Sequence, residues 1–558
     1  MPAIALIVTD LENSWLGLPA QLGDELAGRC VLAHTVARAA RVRQVEKVVI
    51  VHPQGQDPAD LLGDQTFGKP VDFFACEAVD DRHLARWVAA RKWALACWRG
   101  GLGTATGYDE LLPAEPLLAA MDAHDAGSAL LVRGDWCFFD TAFAESQLAM
   151  HLEHPEAFTI TFTQAPPGLS GMVASRQVLA QLSEHRGAFG QALGYNPAKA
   201  ALDPIGREVN HPIPPEVRDT YRRFVYDTPR SMALMRAVAQ ELGSGVERAD
   251  AQAVVAAARD AERHDPDLLF GRLPQQVTLE LTPRRGVSGL ITPQHYVPMD
   301  RPDMDPDLAL RIVEQLADPD LGGDVALRLG GLGDALEHSH WRQIVMAAKD
   351  AGVLGICLET DLLCERQVID DMLALPVDVI SIRLNADTSE TYQAVMGVDG
   401  FNRVAGNLEY LFNQRRRLSG DNGALLPGMP WIVPRLVKIR ETLKDMESFF
   451  DRWMTATGHA VIEPAQSGCG LMPELSPVPM APPRRRACRQ LGWRMTILSD
   501  GGVALCDQDW QGNASLGQAG VEPIVEIWQR VAGAVSAHAA GRFDEPALCA
   551  GCSEWHRP

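Results

Sequence analysis

The chain opens on an unbroken apolar run from Ala3 to Val8, and a second lies at Val48 to Val51 within KVVIVHP. Between them, Val31 to Val42 spaces its apolar positions as a helix does, so the pattern predicts strand, loop, helix, strand. From Gln276 a steadier rhythm begins. VTLEL, VALRL, LGICLET and VDVISIRL alternate with helical stretches at Pro306 to Leu316, Trp341 to Ala351 and Glu365 to Leu375. Short apolar strands alternating with helices predict a parallel β/α barrel or part of one. From Gly492 the pattern changes again. GWRMTILSDGGVALCDQDWQG alternates like a hairpin with its turn at Ser499-Asp500-Gly501-Gly502. The stretch 236–272, rich in Ala, Glu, Arg and Asp, reads as a solvated helix between domains.

At 558 residues the chain is too long for one ordinary core. Its 46% hydrophobic and 22% charged content is that of a soluble globular protein. A net charge of -21 argues against nucleic acid or an anionic membrane as partner, since like charges repel. MPAIALIV lacks a basic flank and reads as a first strand rather than a signal peptide. No apolar run reaches the ~18 residues that span a bilayer. Eleven cysteines, an odd number and mostly scattered, do not make a secreted disulfide framework. A cytoplasmic location is expected.

The C-terminal cysteines carry the strongest chemical signal. Cys488 is followed by twelve residues, Gly501, four residues and Cys506, and later by Cys549-Ala-Gly-Cys552. The hairpin would bring Cys488 and Cys506 together, and the C-x-x-C pair could close a four-thiolate site for zinc or an iron–sulfur cluster. The stretch resembles the SPASM/twitch domain that follows the barrel in many radical SAM enzymes. The likeness extends to Leu516-Gly517, Glu526 to Trp528, His538 and GRFDEPALCAGC. It implies that Cys488, Cys506, Cys549 and Cys552 hold one auxiliary [4Fe–4S] cluster, with a zinc ribbon as the alternative. Cys469, in SGCG, is either an extra ligand or, as its spacing favours, a lone thiol in a loop.

The first 260 residues resemble the cytidylyltransferase-type nucleotide-sugar synthases, including the family related to spore-coat polysaccharide synthesis. The matching stretches are Leu18-Pro19, Leu26 to His34, WRGG at 98–101, Arg133 to Phe143, Pro166 to Leu169 and Arg222 to Met235. The resemblance implies a doubly wound fold with a ligand at the carboxyl ends of its strands. Asp135 and Asp227 stand where the family holds magnesium, and such hard carboxylates suit that ion. Asp227 precedes Thr-Pro and could instead cap a helix. Where the family neutralises a triphosphate with an arginine and a lysine, this chain has Glu12, Gly17 and Gln21. A carboxylate has the wrong sign there, so nucleotidyl transfer is expected to be lost.

Residues 273–470 resemble the partial barrel of radical SAM enzymes. GGLGDAL (Gly330 to Leu336) stands where that family grips S-adenosylmethionine. Gly331, Gly333 and Asp334 are thus either a vestigial S-adenosylmethionine site or a strand-to-helix turn. TDLLC (Thr360 to Cys364), ADTSETYQAVMG (Ala386 to Gly397) and FNRVAGNLEYL (Phe401 to Leu411) also follow the family. The loop that should carry three cluster cysteines reads ELTPRRGVSGLITP, from Glu280 to Pro293, which puts Arg285, Gly289 and Thr292 at their positions. None supplies a thiolate, and Cys357 and Cys364 lie well downstream. The family's S-x-D on a later strand is Arg383-Leu384-Asn385. Without three thiolates the iron that chelates S-adenosylmethionine has no seat, so its reductive cleavage is expected to be absent.

The expected architecture is therefore α/β throughout. A nucleotidyltransferase-like domain (1–260) precedes a degenerate radical SAM-like barrel (273–470) and a SPASM/twitch domain (484–558), an order that also resembles spiro-SPASM fusions. The expected role is an accessory iron–sulfur protein that binds, scaffolds or delivers electrons, with a protein partner or a sugar or peptide substrate. The alternative is a magnesium-dependent nucleotide-sugar or glycosyl transferase built on Asp135 and Asp227, with a structural tail.

Overall fold

The opening apolar run forms strand β1 (Ala3–Val8), buried at every residue. A central parallel strand is covered on both faces, which is why it reads as a continuous run rather than an alternation. The computed structural model describes residues 3–77, 81–95, 112–184, 187–193, 201–220, 222–318, 321, 324–418, 429–478 and 481–556. WRGG at 98–101 lies outside them. The chain divides into two compact units, Met1–Leu268 and Leu269–Pro558.

In the first unit, β1 is joined by β2 (Val45–Pro53), β3 (Val71–Cys76), β4 (Ser128–Arg133), β5 (Ile160–Thr163), β6 (Met172–Ser175) and β7 (Asn210–His211). Their order is β3-β2-β1-β4-β6-β5-β7. β1 pairs in parallel with β2 on one side and β4 on the other. The order therefore reverses between β1 and β4, the switch point at which doubly wound sheets bind ligands. The helix predicted after β1 is present at Val31–Arg41.

The stretch 236–272 is not a solvated linker. Helices Pro229–Leu242 and Ala251–His264 occupy most of it, and Val254, Val255, Ala257 and Ala258 of the second lie in the first unit's core. Asp140 accepts the Ala251 N–H at 2.7 Å and anchors the helix start. Small apolar residues at helical spacing made a narrow stripe that the abundant charge concealed.

In the second unit, β8 (Gln276–Leu279), β9 (Ala326–Leu329), β10 (Gly355–Thr360), β11 (Val379–Arg383), β12 (Trp431–Lys438) and β13 (Val461–Pro464) form a parallel sheet in chain order. Helices stand between successive strands, including the predicted ones at Pro306–Leu316, Trp341–Ala351 and Arg366–Ala374. The tail is built into the same sheet. β14 (Arg494–Ile497) pairs in parallel with β8, and β15 (Gly502–Ala504) and β16 (Ser515–Gln518) follow antiparallel. The segments 273–470 and 484–558 thus share one nine-stranded sheet and one compact unit.

Along these strands alternate residues face opposite ways. Val277, Leu279, Leu327, Leu358, Ile380 and Ile382 enter the core. Thr278, Arg328, Glu359, Arg383, Arg435 and Glu463 line a shared chamber on the other face. Branched apolar residues usually fill a barrel interior, so a charged lining marks this one as a chamber rather than a core. Among the described residues, no helix is long and apolar enough to cross a membrane.

Candidate functional site

At the switch point of the first unit, Thr9, Asp10, Trp15, Gln21, Arg133 and Asp135 line a small pocket. Asp135 and Asp227 do come together there, but each is held by an arginine. Arg133 Nε donates to Asp135 at 3.1 Å, and Arg223 Nη2 donates to Asp227 at 2.7 Å. Arg133 Nη2 also stands 4.0 Å from Asp227. Burial pushes the Asp135 carboxyl upward, and the nearby Asp227 charge adds to the shift. A magnesium ion would have to displace these internal cations. Glu12, Gly17 and Gln21 are exposed, and residues 10–24 contain no lysine or arginine. The helix-cap reading of Asp227 does not hold. Thr228 caps Pro229–Leu242, in a reciprocal box with Ser231.

In the second unit, the loop after β8 is packed against its surroundings at Arg285, Gly289 and Thr292. Arg285 is buried and donates to both oxygens of Asp361, from Nε at 2.8 Å and Nη2 at 2.6 Å. Gly289 lies against the backbone of Val395 and Met396, where a Cβ would stand 2.0 Å from the Val395 carbonyl oxygen. Thr292 is fully buried, and its hydroxyl accepts the Gly289 N–H at 3.2 Å. The three positions are therefore held by an ion pair, a backbone contact and a hydrogen bond.

The glycine-rich segment is engaged in the same way. A Cβ at Gly333 would stand 1.8 Å from the Thr282 carbonyl oxygen. Gly331 donates its N–H to Glu359 at 3.2 Å. Asp334 accepts from the Thr360 hydroxyl at 2.9 Å, the Asp361 N–H at 2.8 Å and the Leu336 N–H at 3.0 Å. Burial pushes its carboxyl up to about 6. These contacts engage Gly331, Gly333 and Asp334 with the protein's own groups.

Glu359 is the hub of the chamber. Arg435 approaches it at 2.6 Å, Arg328 at 3.6 Å and Arg383 at 3.7 Å. Burial alone would raise the Glu359 carboxyl, but Arg328, Arg435 and Arg383 hold it well below the usual range. Arg383 and Arg435 are direct cross-strand partners, a like-charge pairing that Glu359 offsets. Glu359, Arg328, Arg435 and Asp361 belong to no chemical motif recognisable along the chain. The only available signal was polar residues at alternate positions of otherwise apolar strands, as in Arg328 within VALRL.

The third site is the C-terminal thiol cavity. Cys488 precedes the short turn Gln490–Gly492, Cys506 follows β15, and Cys549 and Cys552 sit on and after the turn Ala547–Cys549. All four line one space, of about 360 Å³ including its mouth, together with His538 and Arg485. Arg485 donates to the Cys549 carbonyl oxygen at 2.5 Å and holds the last turn in place. Cys469 lines the same space. It is not a lone thiol in a loop. Its φ is 55°, a left-handed backbone that costs a non-glycine residue about 1–3 kcal/mol. The glycines on either side in SGCG were the signal that could have drawn attention to it.

The cavity suits an iron–sulfur cluster on two observations. His538 Nδ1 accepts the Cys488 N–H at 3.2 Å, which leaves the ring proton on Nε2. That Nε2 is buried with no protein partner among the described residues, as is Arg485 Nε. Buried donors lacking acceptors at a thiol cavity match the acceptor sulfurs of a bound cluster. The cysteines line one shared space. Among the described residues, no three His, Cys, Asp or Glu side chains could share one metal ion. A single zinc would need four sulfurs at ~2.3 Å from one centre.

Residues 488–553 match the SPASM family, described as an iron-sulfur cluster-binding domain. The match contains Cys488, Cys506, Cys549 and Cys552 and excludes Cys469. An uncharacterized protein of Treponema pallidum (strain Nichols) is 27% identical over 148 residues, which are 26% of this chain and 40% of that protein. The match therefore spans less than half of that curated relative.

Several solved structures are similar over about half of the chain. BtrN in complex with AdoMet and 2-DOIA matches 50% of this chain and 92% of its own, at 12% identity and TM-score 0.33. Streptococcus suis SuiB bound to precursor peptide SuiA matches 50% and 70%, at 11% and 0.38. A cytidylyltransferase from Leptospira borgpetersenii serovar Hardjo-bovis (strain JB197) matches 48% and 96%, at 11% and 0.32. At such TM-scores these likenesses carry no argument, and the α/β architecture of both units stands on the sheets themselves.

Proposed function

We propose that this is an accessory iron–sulfur protein whose SPASM domain holds one [4Fe–4S] cluster on Cys488, Cys506, Cys549 and Cys552. Its barrel binds a ligand or partner without cleaving S-adenosylmethionine. The buried Arg285–Asp361 ion pair is the observation that carries the second half of this reading. It puts a satisfied cation and anion where radical SAM chemistry requires thiolates and an iron with an open site. Electron delivery to, or scaffolding for, a partner that modifies a sugar or peptide fits a cluster held in the sheet of a non-catalytic barrel.

Anaerobic purification with iron, sulfide and visible-spectrum analysis tests this directly. About four irons per chain are expected, lost in Cys549→Ser. About eight would mean that a second cluster exists and that the barrel reading is wrong. Zinc without iron would make the tail a structural clasp.

The alternative transferase draws support from one observation, the convergence of Asp135 and Asp227. Magnesium is expected to bind weakly, because Arg133 and Arg223 already neutralise both carboxylates. Magnesium-dependent nucleotide binding that Asp135→Ala abolishes would favour the transferase instead.

A further inference from the structure

The charged wall of the chamber holds more guanidinium than its own carboxylates engage. Arg328, Arg383 and Arg435 gather on Glu359, with Glu463 beside Arg435. Two of the three arginines are hydrogen-bonded. Arg435 donates to Glu359 at 2.6 Å and to Glu463 at 2.5 Å, and Arg383 donates to the Gly333 carbonyl oxygen at 2.7 Å. Arg328 is held by neither kind of contact. Among the described residues it donates no side-chain hydrogen bond, and its ion pair to Glu359 is long, at 3.6 Å. Its direct neighbours across the sheet, Thr278 and Cys357, are uncharged.

The other chamber carboxylates are taken up elsewhere. Arg301 holds Glu280 at 2.8 Å, and Asp509 accepts the Asn513 and Ala514 N–H groups at 2.9 and 2.8 Å. Asp507, on the tail, accepts from Gln508 Nε2 at 3.2 Å. A guanidinium presents five N–H donors in a fixed fork that matches a carboxylate or a phosphate. The Arg328 side chain is 24% exposed, in a chamber of about 1040 Å³ including its mouth. The same chamber has an apolar wall, where Leu332, Met472 and Trp510 form a buried cluster of their own. A few placed polar groups beside an apolar wall are what an orienting small-molecule site requires.

We infer that the chamber binds a small organic anion. Its carboxylate or phosphate pairs with Arg328, and its apolar body rests on Leu332, Met472 and Trp510. Glu359 stays with Arg435, so the ligand adds an anion to a three-arginine group instead of displacing one already bound. The inference rests on the ligand-binding barrel proposed above and names the class of ligand.

The test titrates the full-length, iron-loaded protein with phenylacetate, phenyl phosphate and the neutral phenylacetamide, followed by ligand-observed NMR. At least one acid is expected to bind about tenfold tighter than the amide, as a charge-assisted hydrogen bond to Arg328 requires. Which acid it is separates carboxylate from phosphate. Arg328→Gln is expected to abolish the preference and leave the amide unaffected. Arg328→Lys, which keeps the charge without the fork, is expected to retain part of it.

Equal binding of acids and amide, no binding of either acid, or a preference that survives Arg328→Gln would overturn the inference. The acid–amide comparison needs only the wild type, so it decides the matter even if Arg328→Gln does not fold. Iron is counted on the same samples. About four irons with no acid preference would sink the anion site alone, whereas about eight would overturn the barrel reading and this inference together.

Discussion

Introducing three cysteines, as Arg285→Cys, Gly289→Cys and Thr292→Cys together, is expected to leave the iron content unchanged and to destabilise the second unit. Each substitution has its own cost. Removing Arg285 strands the buried Asp361 carboxylate, and breaking a buried pair costs about 3–5 kcal/mol. A side chain at Gly289 must displace the Val395 carbonyl oxygen, which would lie 2.0 Å from its Cβ. Relieving that clash means lifting the loop from the helix Ser389–Met396, whose last residues it packs against. Replacing Thr292 removes the hydroxyl that receives the Gly289 N–H. Urea denaturation and an iron count on the triple variant check the expectation. A gain of about four irons with unchanged stability would show that the loop can still reopen around a cluster.

Glu359→Ala is expected to have the next largest effect, a loss of about 3–5 kcal/mol by the same logic of unpaired buried charge. It leaves Arg328, Arg383 and Arg435 around one empty position, with Arg383 and Arg435 directly opposed across two strands. Glu463→Ala is the control. Arg435 would keep Glu359, and Glu463 is more exposed, so a cost of about 1 kcal/mol or less is expected. Equal costs for the two variants, measured by urea denaturation, would remove Glu359 from its place as hub. The pH dependence follows in sign. The folded carboxyl titrates below its unfolded value, so its stabilisation is complete at neutral pH and is lost as the pH falls from the ordinary carboxylate range toward the folded pKa.

Much of the architecture was legible along the chain, because strand and helix periodicities are local. Ala3–Val8, Val31–Arg41 and the strand–helix rhythm from Gln276 to Arg383 lie where their apolar patterns put them. The hairpin between Cys488 and Cys506 was legible for the same reason, through its Ser-Asp-Gly-Gly turn. The absence of thiols at Arg285, Gly289 and Thr292 was visible as residue identity.

Only the tertiary structure shows what holds those positions. Arg285 and Asp361 are 76 positions apart, and no local pattern joins them. The same holds for the arginines gathered on Glu359 and for those that clamp Asp135 and Asp227. Opposite charges separated along a chain reveal their pairing only when strands from different segments align. Cys469 shows the limit most plainly. Spacing along the chain assigned it to a loop on its own, while the fold sets it in the cavity that Cys488, Cys506, Cys549 and Cys552 line, because the tail hairpin is built into the sheet whose last strand precedes that loop. Ligand identity is written in single residues, but a ligand set is a property of distances, and only the folded chain defines those.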